Sequence, residues 1–255
     1  MKYEKQWKAL RGQGVKLEIA EIPWDSEIFK RPVYEICSLE IDSRFILDAS
    51  NFLTTYLEGG NIHLCTARIE PEDHQALQCL SNSGFRRIQV GNELELDLNE
   101  IRENIKDSKL TARIATEQDW PLLLSESDNL FINDRFYLDT RLDSQIVDSR
   151  YRNWILNSLR QPSDSLVICS IGELPVGFFV ARQESENTVR ILLNALFKAH
   201  QGKGLAQDIW KAMMNWISQS RLTVQVSSNN HQSLKHWFRY NARVKSQEEI
   251  LHYVR

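Results

Sequence analysis

A glycine-rich turn before a predicted helix is the part of the sequence best suited to chemistry. Residues 199–210 read AHQGKGLAQDIW and follow the apolar run RILLNALF. The first N–H groups of a helix have no partner within it, and the helix dipole adds partial positive charge there. Gly202 and Gly204 carry no Cβ atom that would keep an anion from the backbone, and Lys203 adds a cation. The stretch predicts either a phosphate site or a turn that uses its glycines only to change direction.

Two common nucleotide-binding motifs fit this turn poorly. A Walker loop requires G-x-x-x-x-G-K-[ST], whereas Lys203 precedes Gly204 here and no hydroxyl follows. A dinucleotide-binding fold places G-x-G-x-x-G after the first strand of a parallel sheet, whereas this turn follows the fourth strand of a predicted antiparallel meander. Neither nucleotide hydrolysis nor dinucleotide binding is therefore expected of it.

The composition is that of an ordinary globular chain of 255 residues. It holds 42% hydrophobic and 25% charged residues, and its formal net charge is −3. A protein that binds a nucleic-acid backbone would carry a pronounced basic excess, so no nucleic-acid partner is expected. The first residues, MKYEKQWKALRGQG, lack the apolar core of a signal peptide, and no apolar run approaches the roughly 20 residues of a membrane span. The expectation is a cytoplasmic protein without a membrane partner.

Cysteine and histidine spacing gives no metal or disulfide pattern. The four cysteines stand far apart with no C-x-x-C pair, at Cys37, Cys65, Cys79 and Cys169. This spacing predicts reduced, buried thiols. His231 and His236 are five positions apart instead of the four that align side chains on one helical face, so no metal site is expected.

An internal repeat is the clearest sign of how the chain is organised. DHQALQCLSNSGFRRI, from Asp73, aligns without gaps with NHQSLKHWFRYNARVK, from Asn230. Apolar strands precede both copies, NIHLCTA and LTVQVS, and others follow them, NELELDL and EEILHYV. The sequence predicts a strand–helix–strand unit that occurs twice, unless two amphipathic helices match by chance.

A polar segment, NEIRENIKDSK from Asn99, predicts a linker or an exposed closing turn. We place the boundary between two domains, 1–105 and 106–255, within it. In the second domain the pattern predicts a strand, LTARIA, then a helix with Thr116 as its N-cap, and then a loop, NLFINDRFYLD.

A longer helix capped by Ser144 is predicted after that loop. Apolar residues recur at helical spacing to give it one buried stripe, formed by Ile146, Tyr151, Trp154, Ile155 and Leu159. The strands SLVICS, VGFFVAR and TVRILLNAL follow, and they lead into the glycine-rich turn. The predicted order of the second domain is β-α-α-β-β-β-α-β-α-β.

These motifs, in this order, resemble the pattern of the GCN5-related N-acetyltransferases (GNAT). Q-G-K-G-L-A at 201–206 matches the family's Q/R-x-x-G-x-G/A, and Asn230, Ser233 and Leu234 fall on its later N-x-x-A/S-L motif. The resemblance covers residues 110–255. It implies an α/β (α+β) fold with a mixed central sheet flanked by helices, and acetyl-CoA as cosubstrate.

In that family the first motif binds the pyrophosphate of acetyl-CoA through backbone amides. The resemblance therefore implies a set of CoA-binding residues, namely Leu196, Gln201, Gly202, Lys203, Gly204, Leu205, Ala206, Gln207 and Asn230.

The resemblance also implies where acyl transfer would take place. The backbone N–H of Leu196 would face the thioester carbonyl and stabilise the oxyanion when an amine attacks. The family usually has a tyrosine that protonates the CoA thiolate, but that position is Trp237 here, and an indole is not a usable acid near neutral pH. Tyr240 or His236 would donate the proton instead, unless both only pack or face solvent.

More narrowly, the chain resembles the dTDP-fucosamine acetyltransferase type, in which a truncated GNAT-like amino-terminal domain precedes a complete catalytic one. The segments that carry this resemblance are PWDSEIF, NDRFYLD, DSRYRNWI and NARVKSQEEILHYVR. The amino-terminal copy contains no Q/R-x-x-G-x-G/A turn, and EPED precedes its helix, where the acidic residues would repel a pyrophosphate. No CoA is expected there.

The predicted loop from Leu130 to Arg141 is the candidate acceptor site. Arg135 and Arg141 could bind a diphosphate, while Phe136 and Tyr137 could stack on a base. This favours a nucleotide-linked amino sugar as acceptor. A small amine or an amino-acid-type acceptor, a CoA-binding sensor without turnover, and a homo-oligomer stay open.

Overall fold

The computed structural model describes residues 5–102, 105 and 108–255. Within these residues the strands are β1 Gln6–Gly12, β2 Val15–Glu21, β3 Val33–Ile41, β4 Leu64–Ile69, β5 Arg86–Asp97, β6 Thr111–Ile114, β7 Asp164–Ile171, β8 Leu174–Gln183, β9 Thr188–Leu196, β10 Arg221–Ser227 and β11 Arg243–Val254. The helices are α1 Pro23–Phe29, α2 Ile46–Gly59, α3 His74–Asn82, α4 Leu98–Arg102, α5 Trp120–Glu126, α6 Arg135–Leu138, α7 Ser144–Ser158, α8 Ala206–Trp216 and α9 His231–Arg239.

The chain forms two compact units that do not coincide with the continuous segments 1–105 and 106–255. The first unit comprises the described residues up to Gly91 together with Asp134–Val147 and Gln247–Arg255, and the second comprises Asn92–Asn133 and Asp148–Ser246. Strands β5 and β11 have residues in both units.

The first unit contains a mixed sheet with the strand order β1-β2-β3-β4-β11. All of these neighbours are antiparallel except β3 and β4, which are parallel. Alternating apolar residues of β2, such as Leu17 and Ile19, are buried, and they join a core that includes Leu53 of α2 and Leu80 of α3. This alternation explains why one face of the strand is apolar and the other polar.

The second unit contains a mixed sheet with the strand order β10-β9-β8-β7-β6. Its only parallel pair among these described strands is β9 and β10. Strands β7 and β8 are almost continuously apolar and are buried on both faces. The core combines Phe179 of β8, Trp210 and Met213 of α8, and Trp237 of α9. This is the mixed α/β architecture that the sequence predicts.

The internal repeat is real at the level of local geometry. The Asp73 side chain accepts the Ala76 N–H at 3.0 Å at the start of α3, and the Asn230 side chain accepts the Ser233 N–H at 3.1 Å at the start of α9. Both helices have nine residues. They end before a residue with positive φ, Gly84 at 87° in the first copy and Asn241 at 60° in the second.

Several local predictions are confirmed and others are wrong. The helix after Thr116 begins with a capping box, in which the Asp119 carboxylate accepts the Thr116 N–H at 2.8 Å. The predicted cap of α7 is wrong, because Asp143 accepts the Gln145 N–H at 2.8 Å while Ser144 is the first helical residue. The stretch NLFINDRFYLD also contains the short helix α6.

Two more sequence expectations need correction or restriction. Cys65, Cys79 and Cys169 are buried as predicted, but Cys37 is exposed. The linker segment from Asn99 begins within α4, and residues 103, 104, 106 and 107 of it lie outside the described part of the chain. No helix in the described ranges is long and apolar enough to cross a membrane.

Candidate functional site

The end of β9 carries the first half of the candidate site, in the second unit. Pairing between β9 and β10 ends at Ile191 and Val224, although β9 continues to Leu196 and β10 to Ser227. Leu192 is the extra residue of a β-bulge, because Ile191 pairs with Ala181 while Leu193 already pairs with Val180. A bulge bends its strand and increases the local twist. The bulge therefore lies where β9 leaves β10, and the ends of these strands border a gap.

The backbone N–H of Leu196 points into this gap. Phe197 donates its N–H to the carbonyl of Val176 in β8 at 2.9 Å. Leu196 lies opposite Gly177 in the antiparallel ladder between β9 and β8. Successive residues of an antiparallel strand direct their N–H groups to opposite sides, so that of Leu196 is directed away from β8. The Gln201 side-chain amide donates to the Leu196 carbonyl at 3.0 Å. The structure thus brings two predicted site residues together.

The glycine-rich turn carries the second half of the site. Gly202 and Gly204 have φ values of 72° and 78°, and a Cβ atom added at either would meet nothing within 4 Å. The first hydrogen bond from a helical N–H is that of Ile209 to the Leu205 carbonyl at 3.1 Å. No group within the described residues accepts a hydrogen bond from the backbone N–H groups of 202–208. The turn therefore presents a row of donors beside open space, as an anion site requires.

Helix α8 is held firmly behind this turn. Its buried residues recur at helical spacing and form one apolar face: Ile209, Trp210, Ala212, Met213 and Met214. At the start of the helix, the Ser108 hydroxyl donates to the Asp208 carbonyl at 2.8 Å. Lys203 and Gly204 are exposed in front of this anchored turn. The donors are thus fixed before any ligand arrives, which lowers the entropy that binding must overcome.

Gly177 of β8 lies against the end of β9 that carries Leu196, and no pattern in the sequence singled it out. A Cβ atom here would lie 2.5 Å from the Ala195 carbonyl oxygen and 3.1 Å from the Leu196 Cα. Both are backbone atoms, so the strand itself would have to move.

We therefore predict that Gly177→Ala lowers both stability and turnover. Overpacking typically costs about 1–3 kcal/mol, and the displaced Leu196 N–H would no longer meet the thioester oxygen. Thermal denaturation and kcat with acetyl-CoA would measure the two effects. A matched control is Gly59→Ala, because a Cβ atom at Gly59 meets nothing within 4 Å. Unchanged kcat in a folded Gly177→Ala protein would contradict the prediction.

Helix α9 contributes Asn230 and Trp237. The Asn230 side-chain oxygen already caps the helix, so its role in the structure is that of an N-cap. Trp237 is 1% exposed and packs edge-on against Trp210, with 3.8 Å between ring centroids. Its indole N–H is buried without a partner among the described residues. Trp237 is thus a core residue of the second unit, and a catalytic role for it stays a prediction.

Tyr240 and His236 lie on the partly buried side of α9. Burial raises the pKa of the Tyr240 phenol, with Arg239 acting against this and the Asp208 carboxylate adding to it. Tyr240 packs against the core of the second unit, which includes Trp210 of α8. Burial lowers the pKa of His236, and its ring stacks on Trp210 at 6.3 Å. Tyr240 therefore stays protonated at neutral pH, as a proton donor must.

The predicted acceptor residues lie in the first unit. Asp134 caps helix α6 by accepting the Phe136 N–H at 3.2 Å, and the Arg135 guanidinium lies 4.8 Å from the Phe136 ring centroid. Phe136 is 2% exposed and packs on the ring of His252. Tyr137 is half-buried. Phe136 is therefore packed in the interior, while Arg135 stands beside it.

A buried ionic network fixes this segment to β11, and it was not anticipated as a unit. The Asp139 carboxylate accepts from Arg141 Nε and Nη2, both at 2.8 Å, and from His252 Nδ1 at 3.0 Å. Arg141 Nη2 also donates to the His252 carbonyl at 3.0 Å. Arg141, which the sequence suggested for a diphosphate, is instead held by Asp139. The sequence feature that could have indicated this network is His252 within the apolar run EEILHYV, because a buried imidazole needs a hydrogen-bond partner.

The protonation states in this network follow from burial and hydrogen bonding. Burial lowers the pKa of His252 to about 4, although its hydrogen bond with Asp139 acts in the opposite direction. Burial alone would raise the pKa of Asp139, but hydrogen bonds from His252 and Arg141 outweigh it and lower the pKa. At neutral pH the pair is therefore an anionic carboxylate and a neutral imidazole that donates from Nδ1.

We predict that this network makes the protein less stable as the pH falls from 7 towards 4.5. Neutral His252 is retained in the native state down to about 4, whereas an unfolded histidine binds a proton below about 6.5. The free energy of unfolding should then fall by up to about 1.4 kcal/mol per pH unit on account of this proton.

Denaturant unfolding at several pH values, compared between wild type and His252→Gln, would test this. The variant lacks the titrating group, so its stability should depend less steeply on pH in that range. His63 and His236, whose pKa values are also lowered by burial, titrate equally in both proteins. Equal pH dependence in both would show that His252 does not have the assigned pKa.

Comparison with known proteins fits this geometry. Residues 129–239 match the model of the Acetyltransferase (GNAT) family. A structure of a functionally unknown conserved protein from Staphylococcus epidermidis ATCC 12228 shares 10% identity, with 97% of this chain and 94% of that chain covered and a TM-score of 0.67. A GCN5-related N-acetyltransferase from Sphaerobacter thermophilus shares 11% identity, with 95% and 81% covered and a TM-score of 0.59.

A third similar structure is described as a tandem GNAT protein from the clavulanic acid biosynthesis pathway. It shares 10% identity, with 96% of this chain and 81% of that chain covered and a TM-score of 0.56. No curated protein matches the sequence. Residues 129–239 thus match the GNAT family model, and the chain has the fold of these GNAT structures.

Proposed function

We propose that the protein is an acetyl-CoA-dependent N-acetyltransferase that acetylates a primary amine. The observation that carries this is the meeting of the open strand gap at Leu196 with the donor row of the turn at 202–208. The turn has room and donors for the pyrophosphate, and the gap has an N–H directed at the place where the thioester would lie. CoA-binding roles for Gln201 to Gln207 follow from this placement.

In the proposed reaction, a neutral amine attacks the thioester carbonyl carbon. The Leu196 N–H donates to the carbonyl oxygen as it becomes an oxyanion, and the C–S bond then breaks to release CoA thiolate. The amine loses its proton to solvent, and the thiolate gains one. We assign the second proton to Tyr240, whose phenol is protonated at neutral pH and which packs against the core that contains Trp210. Trp237 would support this site from the core by packing on Trp210.

For the acceptor we propose an amino sugar linked to a nucleotide, of the dTDP-amino-sugar type. Arg135 is the residue we assign to the diphosphate, with Tyr137 next to it. The burial of Phe136 against His252 gives it the role of supporting this segment instead of stacking on a base. A small amine and an amino-acid-type acceptor are the competing possibilities.

We further propose that residues 1–105 are a truncated GNAT-like domain without a CoA site and that residues 106–255 are the catalytic domain. The matching caps of α3 and α9 support a common origin of the two parts. The likeness to a structure described as a tandem GNAT protein supports the same view.

A screen of amines with acetyl-CoA, read by release of free thiol, would test the function. Nucleotide-linked amino sugars, the same sugars without the nucleotide, and small amines form the three arms. Higher kcat/KM for the nucleotide-linked form, with the difference lost in Arg135→Ala, would support the proposed acceptor. Equal kinetics on the linked and bare sugars would contradict it. Acetyl-CoA binding without turnover on any arm would instead indicate a CoA sensor.

A further inference from the structure

The first unit contains a second strand gap built on the same register as the gap at Leu196. Pairing between β3 and β4 ends at Ile36 and Ala67, although β3 continues to Ile41 and β4 to Ile69. Cys37 is the extra residue of a β-bulge, because Ile36 pairs with Ile19 while Ser38 already pairs with Glu18. The bulge thus follows the last paired residue directly, as Leu192 does in β9.

The backbone N–H groups that border this second gap are directed in the same way as those that border the gap at Leu196. Asp42 donates its N–H to the Gly14 carbonyl at 2.8 Å, and Ile41 lies opposite Val15 in the same ladder. By strand alternation the N–H groups of Ile41 and Leu39 are directed away from β2 and into the gap. Ile41 therefore corresponds to Leu196, and Leu39 to Asn194. The part of β3 that is not paired with β4, from Cys37 to Ile41, has five residues, as has the part of β9 that is not paired with β10, from Leu192 to Leu196.

The helix that follows this gap is closed to a diphosphate. Strand β3 is joined to α2 by residues 42–45 alone, which contain no glycine. Asp42 accepts the Arg44 N–H at 3.1 Å and its guanidinium at 3.0 and 2.6 Å. A carboxylate thus stands where the second unit presents donors. EPED, the segment named earlier for this effect, precedes α3, the counterpart of α9, and its effect on a pyrophosphate stays a prediction.

We propose that the gap between β3 and β4 binds a pantetheine chain that carries no nucleotide. The strand frame matches that of the gap at Leu196. In the proposed function that gap receives the part of acetyl-CoA between the pyrophosphate and the thioester, which is the pantetheine arm, so this inference rests on the proposed function. The amides of such a chain would pair with the N–H groups of Leu39 and Ile41. The segment 42–45 has no glycine, and Asp42 already accepts the Arg44 N–H, so the segment lacks the row of free donors that a diphosphate would need.

The test uses S-methylpantetheine, which has no free thiol, and the whole protein. Hydrogen exchange of the Leu39 and Ile41 amides, followed by NMR, should slow when the compound is added. Cys37 lies at the start of the gap and is the one exposed cysteine of the four, so its alkylation should slow as well. At ten times Kd the free fraction of sites falls about tenfold, and so should both rates. S-methyl-CoA should leave both unchanged.

Matched variants separate the two gaps. Leu39→Pro removes an N–H from the gap between β3 and β4 without removing a hydrogen bond to β2. Asn194→Pro removes an N–H from the gap between β9 and β10 without removing a hydrogen bond to β8. S-methylpantetheine should lose its effect on Cys37 only in Leu39→Pro. Acetyl-CoA binding, measured by calorimetry, should be lost only in Asn194→Pro.

Three outcomes would overturn the inference. Unchanged amide exchange in the wild-type protein at millimolar S-methylpantetheine would exclude the site without recourse to any variant. Equal protection by S-methyl-CoA would make the gap a second CoA site. Retained protection in a folded Leu39→Pro would place the compound elsewhere. Failure of acetyl-CoA to bind the wild-type protein would instead refute the proposed function, which is a separate measurement.

Discussion

Gly204→Val will weaken acetyl-CoA binding on the order of 100-fold, because it removes access to several charge-assisted hydrogen bonds at once. The glycine has a φ of 78°, and its Cβ position is open space in front of the donor row. A branched side chain would occupy the volume that the pyrophosphate needs. The fold should persist, since a Cβ atom at this position meets no protein atom within 4 Å. Calorimetric titration with acetyl-CoA measures the affinity.

Gly172→Val is the matched control for this experiment. Gly172 also has a positive φ, 57°, and open space around its Cβ position, but it lies in the turn between β7 and β8. Both variants should be less stable than the wild type by about 1–2 kcal/mol, because each places a valine in a left-handed backbone conformation. Only Gly204→Val should lose CoA affinity. Wild-type affinity in both would mean that the turn is purely structural, and the proposed function would have to be withdrawn.

Leu196→Pro should reduce kcat by about 10²- to 10³-fold, the usual effect of removing one oxyanion donor. The N–H that is lost points away from β8, so no ladder hydrogen bond disappears with it. Acetyl-CoA affinity should change far less than kcat, because the pyrophosphate contacts are untouched. Steady-state kinetics measures the change in kcat, and calorimetry measures the change in acetyl-CoA affinity.

Leu196→Val is the control, because it keeps the N–H while changing the side chain. Its kcat should stay within a few-fold of the wild type. If the valine and proline variants lose activity equally, the side chain and its packing matter instead of the backbone donor. That result would remove Leu196 from the catalytic residues while leaving the CoA site intact.

The parts of the site that the sequence predicted are those formed by local interactions. The turn at 201–206 and the N-cap at Thr116 each depend on a few neighbouring residues. The residues that determine these features are neighbours along the chain, so the sequence already shows the interactions that form them. Asn241 illustrates this, since its left-handed conformation could be expected from its place at the end of α9.

The parts that were missed depend on contacts between distant residues. Asp139 and His252 are 113 positions apart, and nothing in either segment indicates the other. The exposure of Cys37 depends on a bulge in β3, and a bulge has no clear sequence pattern of its own. The burial of Trp237 depends on Trp210 of a different helix. Long-range packing decides these features, whereas sequence periodicity reports only which face is apolar.

The pairing of β11 with β4 has a consequence for how the first unit can fold. Glu249 lies opposite Ile69 and Val254 opposite Leu64, so the paired residues are separated by nearly three quarters of the chain. Closing so long a loop costs entropy before the contact is gained, so high contact order predicts slow formation of this pair. During synthesis, the backbone groups on one edge of β4 would stay unpaired until β11 has been made. That edge could meanwhile pair with other nascent chains and cause misassembly. A fragment ending near residue 105 would keep that edge permanently and should associate or aggregate instead of folding as a monomer.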